Sequence, residues 1–140
     1  MEYTARMFEV RVEADFAAAH FLKDYHGKCE NLHGHNYSVF AHVRGSELDE
    51  GGMLLDFGIL KQALRSVCKK VDHTNLNDLT DENGNSVFNQ NPSAERIAKW
   101  IFTQLEAALR ADPDAAPVAG KLWAVDVFET PTSRARYIRD

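Results

Sequence analysis

Every second residue from Phe8 to His20 is apolar or small, through Val10, Val12, Ala14, Phe16 and Ala18. Glu9, Arg11, Glu13 and Asp15 fill the alternate positions up to Asp15. Side chains of an extended chain alternate between two faces, so this run buries one face only as a strand, over about residues 7–20. The pattern also places His20 on the inward face at the strand's end. Alone, an inward histidine is most simply a hydrogen-bonded core residue.

The segment Cys29-Glu30-Asn31-Leu32-His33-Gly34-His35 adds to that reading. A second strand, roughly His35 to Arg44, carries Tyr37, Val39, Ala41 and Val43 on one face. If the strand begins at His33, then His33 and His35 share a face, and Gly34 leaves the other face bare there. Two imidazoles on one face supply two of the three protein ligands of an open zinc site, and His20 offers a third. His42 falls on the opposite face and is excluded as a ligand. Cys29 lies just upstream, where a loop can bring its thiol near the metal. A structural zinc would want four closed ligands, with Cys29 as the fourth. A free cysteine is otherwise a small buried hydrophobe, the reading given to Cys68, which flanks a helical stripe.

That stripe is Phe57, Leu60, Leu64, Val67 and Val71, at helical spacing, which predicts a first helix near residues 57–70. Residues 72–91 read as a long loop with Asn75, Asn77, Asn83-Gly84 and Asn85 as turn formers. A second helix opens at Asn91-Pro92, read as an N-cap followed by proline at the first helical position, and ends before Asp112-Pro113. Trp123, Val125 and Val127 alternate with Leu122, Ala124, Asp126 and Phe128, giving a third strand with two apolar faces. A short fourth strand follows around Arg134–Arg139. The order ββααββ implies an α+β domain: a four-stranded antiparallel sheet with two helices on one face. Its two exposed edges need cover or a second chain, so oligomerisation is a physical expectation.

The chain has 140 residues, and that length implies one domain over residues 1–140. A formal net charge of −5 argues against a nucleic-acid groove, which needs a basic stripe. No apolar run approaches the ~20 residues of a membrane span, and no leader pattern precedes the first strand. The expectation is a cytoplasmic protein whose two cysteines stay reduced.

Five segments together resemble the 6-pyruvoyl-tetrahydropterin synthase superfamily. They are the Phe-Ala-Ala-Ala-His ending at His20, Cys29-X-X-X-His33-Gly34-His35, Asp72-His73-Thr74-Asn75-Leu76-Asn77, Asn91-Pro92-Ser93-Ala94-Glu95 and Glu129-Thr130-Pro131-Thr132. They fall in register from about residue 16 to 132. The short gap between Cys29 and His33 is similar to that of the bacterial 6-carboxy-5,6,7,8-tetrahydropterin synthases of queuosine biosynthesis. The 6-pyruvoyl branch generally spaces the two further apart.

The resemblance implies a tunnelling fold (T-fold), in which sheets of several subunits close into a barrel. The commonest assembly is a hexamer with active sites between subunits. It implies Zn²⁺ on His20, His33 and His35, acting as a Lewis acid on substrate oxygens. It assigns Cys29 as the catalytic thiol, aided toward thiolate by cationic neighbours such as Lys28 or by the metal. It assigns Asp72 and His73 as the second proton-transfer group, with Asp72 orienting His73. From the residues alone, Asp72 reads as a cap and His73 as a surface residue.

Glu129 ends the third strand on the face read for Trp123, Val125 and Val127, where a carboxylate is costly unless paired. The resemblance supplies the guanidine-like edge of a pterin as partner, and a salt bridge to Arg134 or Arg136 competes with it. Ser93 is implied as a second pterin contact. Lys23, His26, Lys28, Arg134 and Arg136 are available for a triphosphate.

The implied reaction converts 7,8-dihydroneopterin triphosphate to 6-carboxy-5,6,7,8-tetrahydropterin, acetaldehyde and triphosphate. Two rivals stay open. One is a 6-pyruvoyl-tetrahydropterin synthase, which only eliminates triphosphate. The other is a zinc- or pterin-binding protein without turnover.

Overall fold

The computed structural model describes residues 6–23, 27, 30–88 and 91–140. Two long strands, β1 (Phe8–His20) and β2 (His33–Gly45), pair antiparallel along their full length, with Phe8 opposite Gly45 and His20 opposite His33. The sheet continues through β4 (Leu122–Thr130) to β5 (Ser133–Ile138), both antiparallel. On its other side, the two-residue β3 (Thr74–Asn75) runs parallel to Ala18 and Ala19 of β1. The sheet order is therefore β3-β1-β2-β4-β5.

Five strands stand where four were expected. The extra strand lies inside the span read as a loop, because two residues are too short to show a period. The same span holds a 3₁₀ turn at Leu76–Asp78.

Helix α1 (Phe57–Lys69) lies over β1, and α2 (Ala94–Ala111) lies over β4 and β5. The core fills the layer between: Val12, Phe16, Tyr37, Val39, Val125 and Val127 of the sheet against Leu60, Leu64, Ile97, Ile101 and Leu105 of the helices. Asp56 caps α1 by accepting from the Gly58 N–H. The cap of α2 is Ser93, whose Oγ accepts from the Arg96 N–H, and not Asn91. Asn91 is engaged elsewhere, as described below, and Pro92 precedes the helix.

A bulge corrects the face assignment of β4. Val43 pairs with Leu122 and His42 with Ala124, so Trp123 is the surplus residue. Leu122 joins the core with Val125 and Val127, while Trp123 turns outward, with the Arg44 guanidinium 3.2 Å from its ring centroid. A period-two reading cannot see this, because an inserted residue shifts every position before it by one.

On that helix-free face, His42 and Asp126 are buried, and His42 Nε2 lies 2.7 Å from Asp126 Oδ2. Arg136 grips the same carboxylate through Nε and Nη2 at 2.5 and 2.9 Å. Burial pushes the Asp126 carboxyl up, but hydrogen bonds from Arg136 and His42 outweigh it and hold the group below its usual range. No helix among the described residues is long and apolar enough to cross a membrane.

Candidate active site

His20 is the last residue of β1, and His33 and His35 open β2. Because His20 is paired directly with His33, and His35 lies two residues on, the three rings project from one face at one end of the sheet. Their ligand atoms lie within 4.8 Å of one another. His20 is 1% exposed, while the other two are partly open, so the cluster sits at the rim of the core.

Backbone carbonyls set the tautomers. His20 Nδ1 donates to the Pro92 carbonyl at 2.8 Å, and His33 Nδ1 donates to the Asn31 carbonyl at 2.7 Å. A carbonyl oxygen only accepts, so both Nδ1 atoms carry the hydrogen. The two Nε2 atoms, 3.1 Å apart, then direct lone pairs at the same point when the rings are neutral. This arrangement fits a divalent metal held by neutral imidazoles, each oriented by a carbonyl behind it. Burial lowers the His20 pKa, opposed by the Pro92 bond and Glu129, which favours the neutral ring a metal needs.

Glu129 reaches the same place from β4. Its Oε1 lies 3.5 Å from His20 Nε2, and its side chain is 29% exposed. It is the surplus residue of a second bulge, between the Phe128–Arg134 and Thr130–Ser133 pairs. Bulges next to sites re-aim a side chain, and this one stands where the carboxylate meets the histidines. Arg134 and Arg136, the competing partners, turn to Asp126 instead. A cavity of about 310 Å³ joins Glu129 to Ser133, Arg134 and the first residues of α2. Ser93 stands just before α2, and its oxygen is engaged as the N-cap.

Asp72 and His73 form a linked pair: His73 Nδ1 lies 2.9 Å from Asp72 Oδ2. The other oxygen, Oδ1, accepts from the Ala17 N–H at 2.9 Å, and the His73 N–H donates to the Ala17 carbonyl at 2.6 Å. The Ala17 N–H bond, with the His73 contact, holds the Asp72 carboxyl below the usual carboxylate range. His73 has φ 58°, in the left-handed region, so its backbone is held in an uncommon conformation by these bonds. A shallow depression of about 490 Å³, floored by the small residues Ala17, Ala19 and Gly34, brings His73 and His35 to one opening.

Six of the seven expected site residues other than Ser93 are described: His20, His33, His35 and Glu129 converge, His73 shares an opening with His35, and Asp72 is bonded to His73. Cys29, with Lys28 and His26, lies outside the described residues. Cys68 is buried in the core, its thiol pushed up to about 12 by burial and by Asp15 and Asp72. The Pro92 and Asn31 carbonyls were missed from the sequence, because a backbone acceptor leaves no side-chain signal.

The 6-pyruvoyl tetrahydropterin synthase family model matches residues 9–140. The chain belongs to that family. Among the family's proteins, a Synechocystis 6-carboxy-5,6,7,8-tetrahydropterin synthase is 39% identical over 136 residues, covering 94% of this chain and 93% of the relative. A Bacillus subtilis protein of the same name is 35% identical, covering 93% and 84%. The solved structure of Caenorhabditis elegans 6-pyruvoyl tetrahydropterin synthase superposes with a TM-score of 0.76 at 27% identity, over 99% of this chain and 100% of that one. The five-stranded sheet with helices on one face is thus this family's T-fold.

Proposed function

We propose that the protein is a zinc-dependent carbon–oxygen lyase. It converts 7,8-dihydroneopterin triphosphate and one water to 6-carboxy-5,6,7,8-tetrahydropterin, acetaldehyde and triphosphate, in queuosine and 7-deazapurine synthesis. One observation carries this reading. Three metal-type imidazoles, an acidic anchor and a carboxylate–histidine pair gather at one end of the sheet, in a chain whose relatives at 39% and 35% identity bear that enzyme's name.

His20, His33 and His35 hold the ion. Zinc supplies Lewis acidity to oxygens of the substrate side chain. Glu129 accepts the paired N–H groups of the pterin edge, which fixes the ring and so the side chain's position. Ser93, already accepting at its oxygen, keeps its O–H to donate to the ring. Cys29 removes and returns protons on the side chain as thiolate, in the reducing cytoplasm where a free thiol survives. His73, oriented by Asp72, serves as the second proton carrier, and its side chain is 83% exposed and so open to substrate.

The protein acts as a homo-oligomer, a hexamer with sites between subunits. Among the described residues, the edge of β1 away from β2 has no partner strand from Phe8 to Phe16, and neither does the outer edge of β5. Phe8 and Ile138 lie exposed on these two edge strands. Unpaired edges with apolar residues call for another chain, and native mass measurement tests the number.

Mass spectrometry of products from zinc-loaded protein and 7,8-dihydroneopterin triphosphate tests the activity. A 6-carboxytetrahydropterin product with acetaldehyde supports the proposal. A pyruvoyl product moves the protein to the sister reaction, and unchanged substrate leaves a binding protein.

A further inference from the structure

The backbone pairing of β1 stops at His20, yet the edge facing β3 stays hydrogen-bonded past that point through side chains. Asn77 Oδ1 accepts from the Phe21 N–H at 2.9 Å, and its Nδ2 donates to the Phe21 carbonyl at 3.0 Å. Asn91 repeats the arrangement two residues later, with 2.6 Å to the Lys23 N–H and 2.9 Å to the Lys23 carbonyl.

A primary amide has the same donor and acceptor as a peptide group. Each asparagine therefore replaces one residue of a neighbouring strand. Upstream, Asp72 and His73 hold both backbone groups of Ala17 in the same way. Ala17, Phe21 and Lys23 are separated by even numbers of residues, the spacing at which an extended chain points its N–H and C=O to one edge.

His20 sits between these holds, and its own ring is tied to the carbonyl of Pro92, the residue after Asn91. A ligand at the last residue of a strand would otherwise fray with the chain end. The two asparagines pin the backbone just beyond that end.

We propose that Asn77 and Asn91 are positioning residues that fix His20 for metal binding. This rests on the metal reading above. Neither touches the ion's ligand atoms; both act through the backbone of residues 21–23.

The test is zinc affinity, by competition with a chromophoric chelator, on full-length Asn77→Ala and Asn91→Ala at a temperature where circular dichroism shows each folded. Loss of an outer-shell support lowers metal affinity about 10–100-fold, and that loss is the expected result. Amide exchange should quicken at Phe21 in the first variant and at Lys23 in the second. Asn77→Asp and Asn91→Asp keep the acceptor and lose the donor, so they retain the fold and show a smaller loss if the alanine variants do not fold. Asn83→Ala, in the same loop, should bind zinc as the parent does.

Unchanged affinity with faster exchange would overturn the proposal. So would an equal loss in Asn83→Ala. Failure of the parent protein itself to take up zinc would instead remove the metal reading, and this inference with it.

Discussion

His20 and His33 face each other through Nε2 atoms 3.1 Å apart, each ring turned that way by a carbonyl bonded to its Nδ1. Two neutral rings so placed repel unless a cation lies between their lone pairs. Zinc should therefore stabilise the fold, by about 2.7 kcal/mol when free zinc is a hundredfold above its dissociation constant. Thermal melts with and without a chelator will show it, and His33→Ala should abolish both the response and the bound metal. A chelator-insensitive melting temperature in the parent would sink the metal assignment.

Asp72 uses one oxygen for the Ala17 N–H and the other for His73. Asp72→Asn keeps an oxygen for Ala17 and removes the charge beside the imidazole. Turnover should fall about 10²-fold or more while zinc content and melting temperature hold. Single-turnover kinetics with metal analysis decide this. His73 also tests its backbone: at φ 58°, Asn is tolerated, whereas His73→Val adds a left-handed penalty of about 1–2 kcal/mol, readable by urea titration.

Cys29→Ala should eliminate turnover and leave zinc binding intact. If the variant instead loses zinc, the thiol is a fourth ligand and the site is structural. Glu129→Gln should chiefly raise KM, since it weakens the grip on the pterin edge before any proton moves.

Asp126 predicts an acid limb in stability. Its folded pKa is depressed, so its contribution is present above the unfolded value of about 3.9 and is lost as pH falls through the folded one. Asp126→Asn, which leaves Arg136 and His42 without their carboxylate, should cost about 3 kcal/mol at neutral pH. Urea titrations at pH 7 and again well below pH ~3.9 should show that gap closing. A gap constant with pH would contradict the sign.

The parts of the fold legible in the sequence are those with enough residues to display a period. β1 carries seven residues on one face, and α1 shows its stripe from Leu60 to Val67. The three histidines follow from strand parity alone, once His20 and His33 end their strands on one face. Parity fails where a residue is added, which is why Trp123 reads on the face of Val125 and Val127 and is found on the opposite one. β3 and the cap of α2 escaped because each depends on which of several nearby polar residues the tertiary fold employs. Asn91 looks like a cap in the sequence, and only the fold shows its amide bonded to Lys23. The Asp72–His73 contact was expected from the resemblance, since neighbouring residues give no assurance of facing one another.

Glu129 stands two residues beyond Val127 in β4, so strand parity puts it on the core face, and it is the surplus residue just before the two-residue turn that joins Thr130 to Ser133. Residue count, and not any property of the glutamate, aims the carboxylate at His20. Loss of one residue between Val127 and Glu129 would swing that group toward the opposite face with every side chain of the site unchanged. Length variation within this strand is thus a route by which related chains would lose the pterin contact proposed for Glu129 without a single substitution at the site.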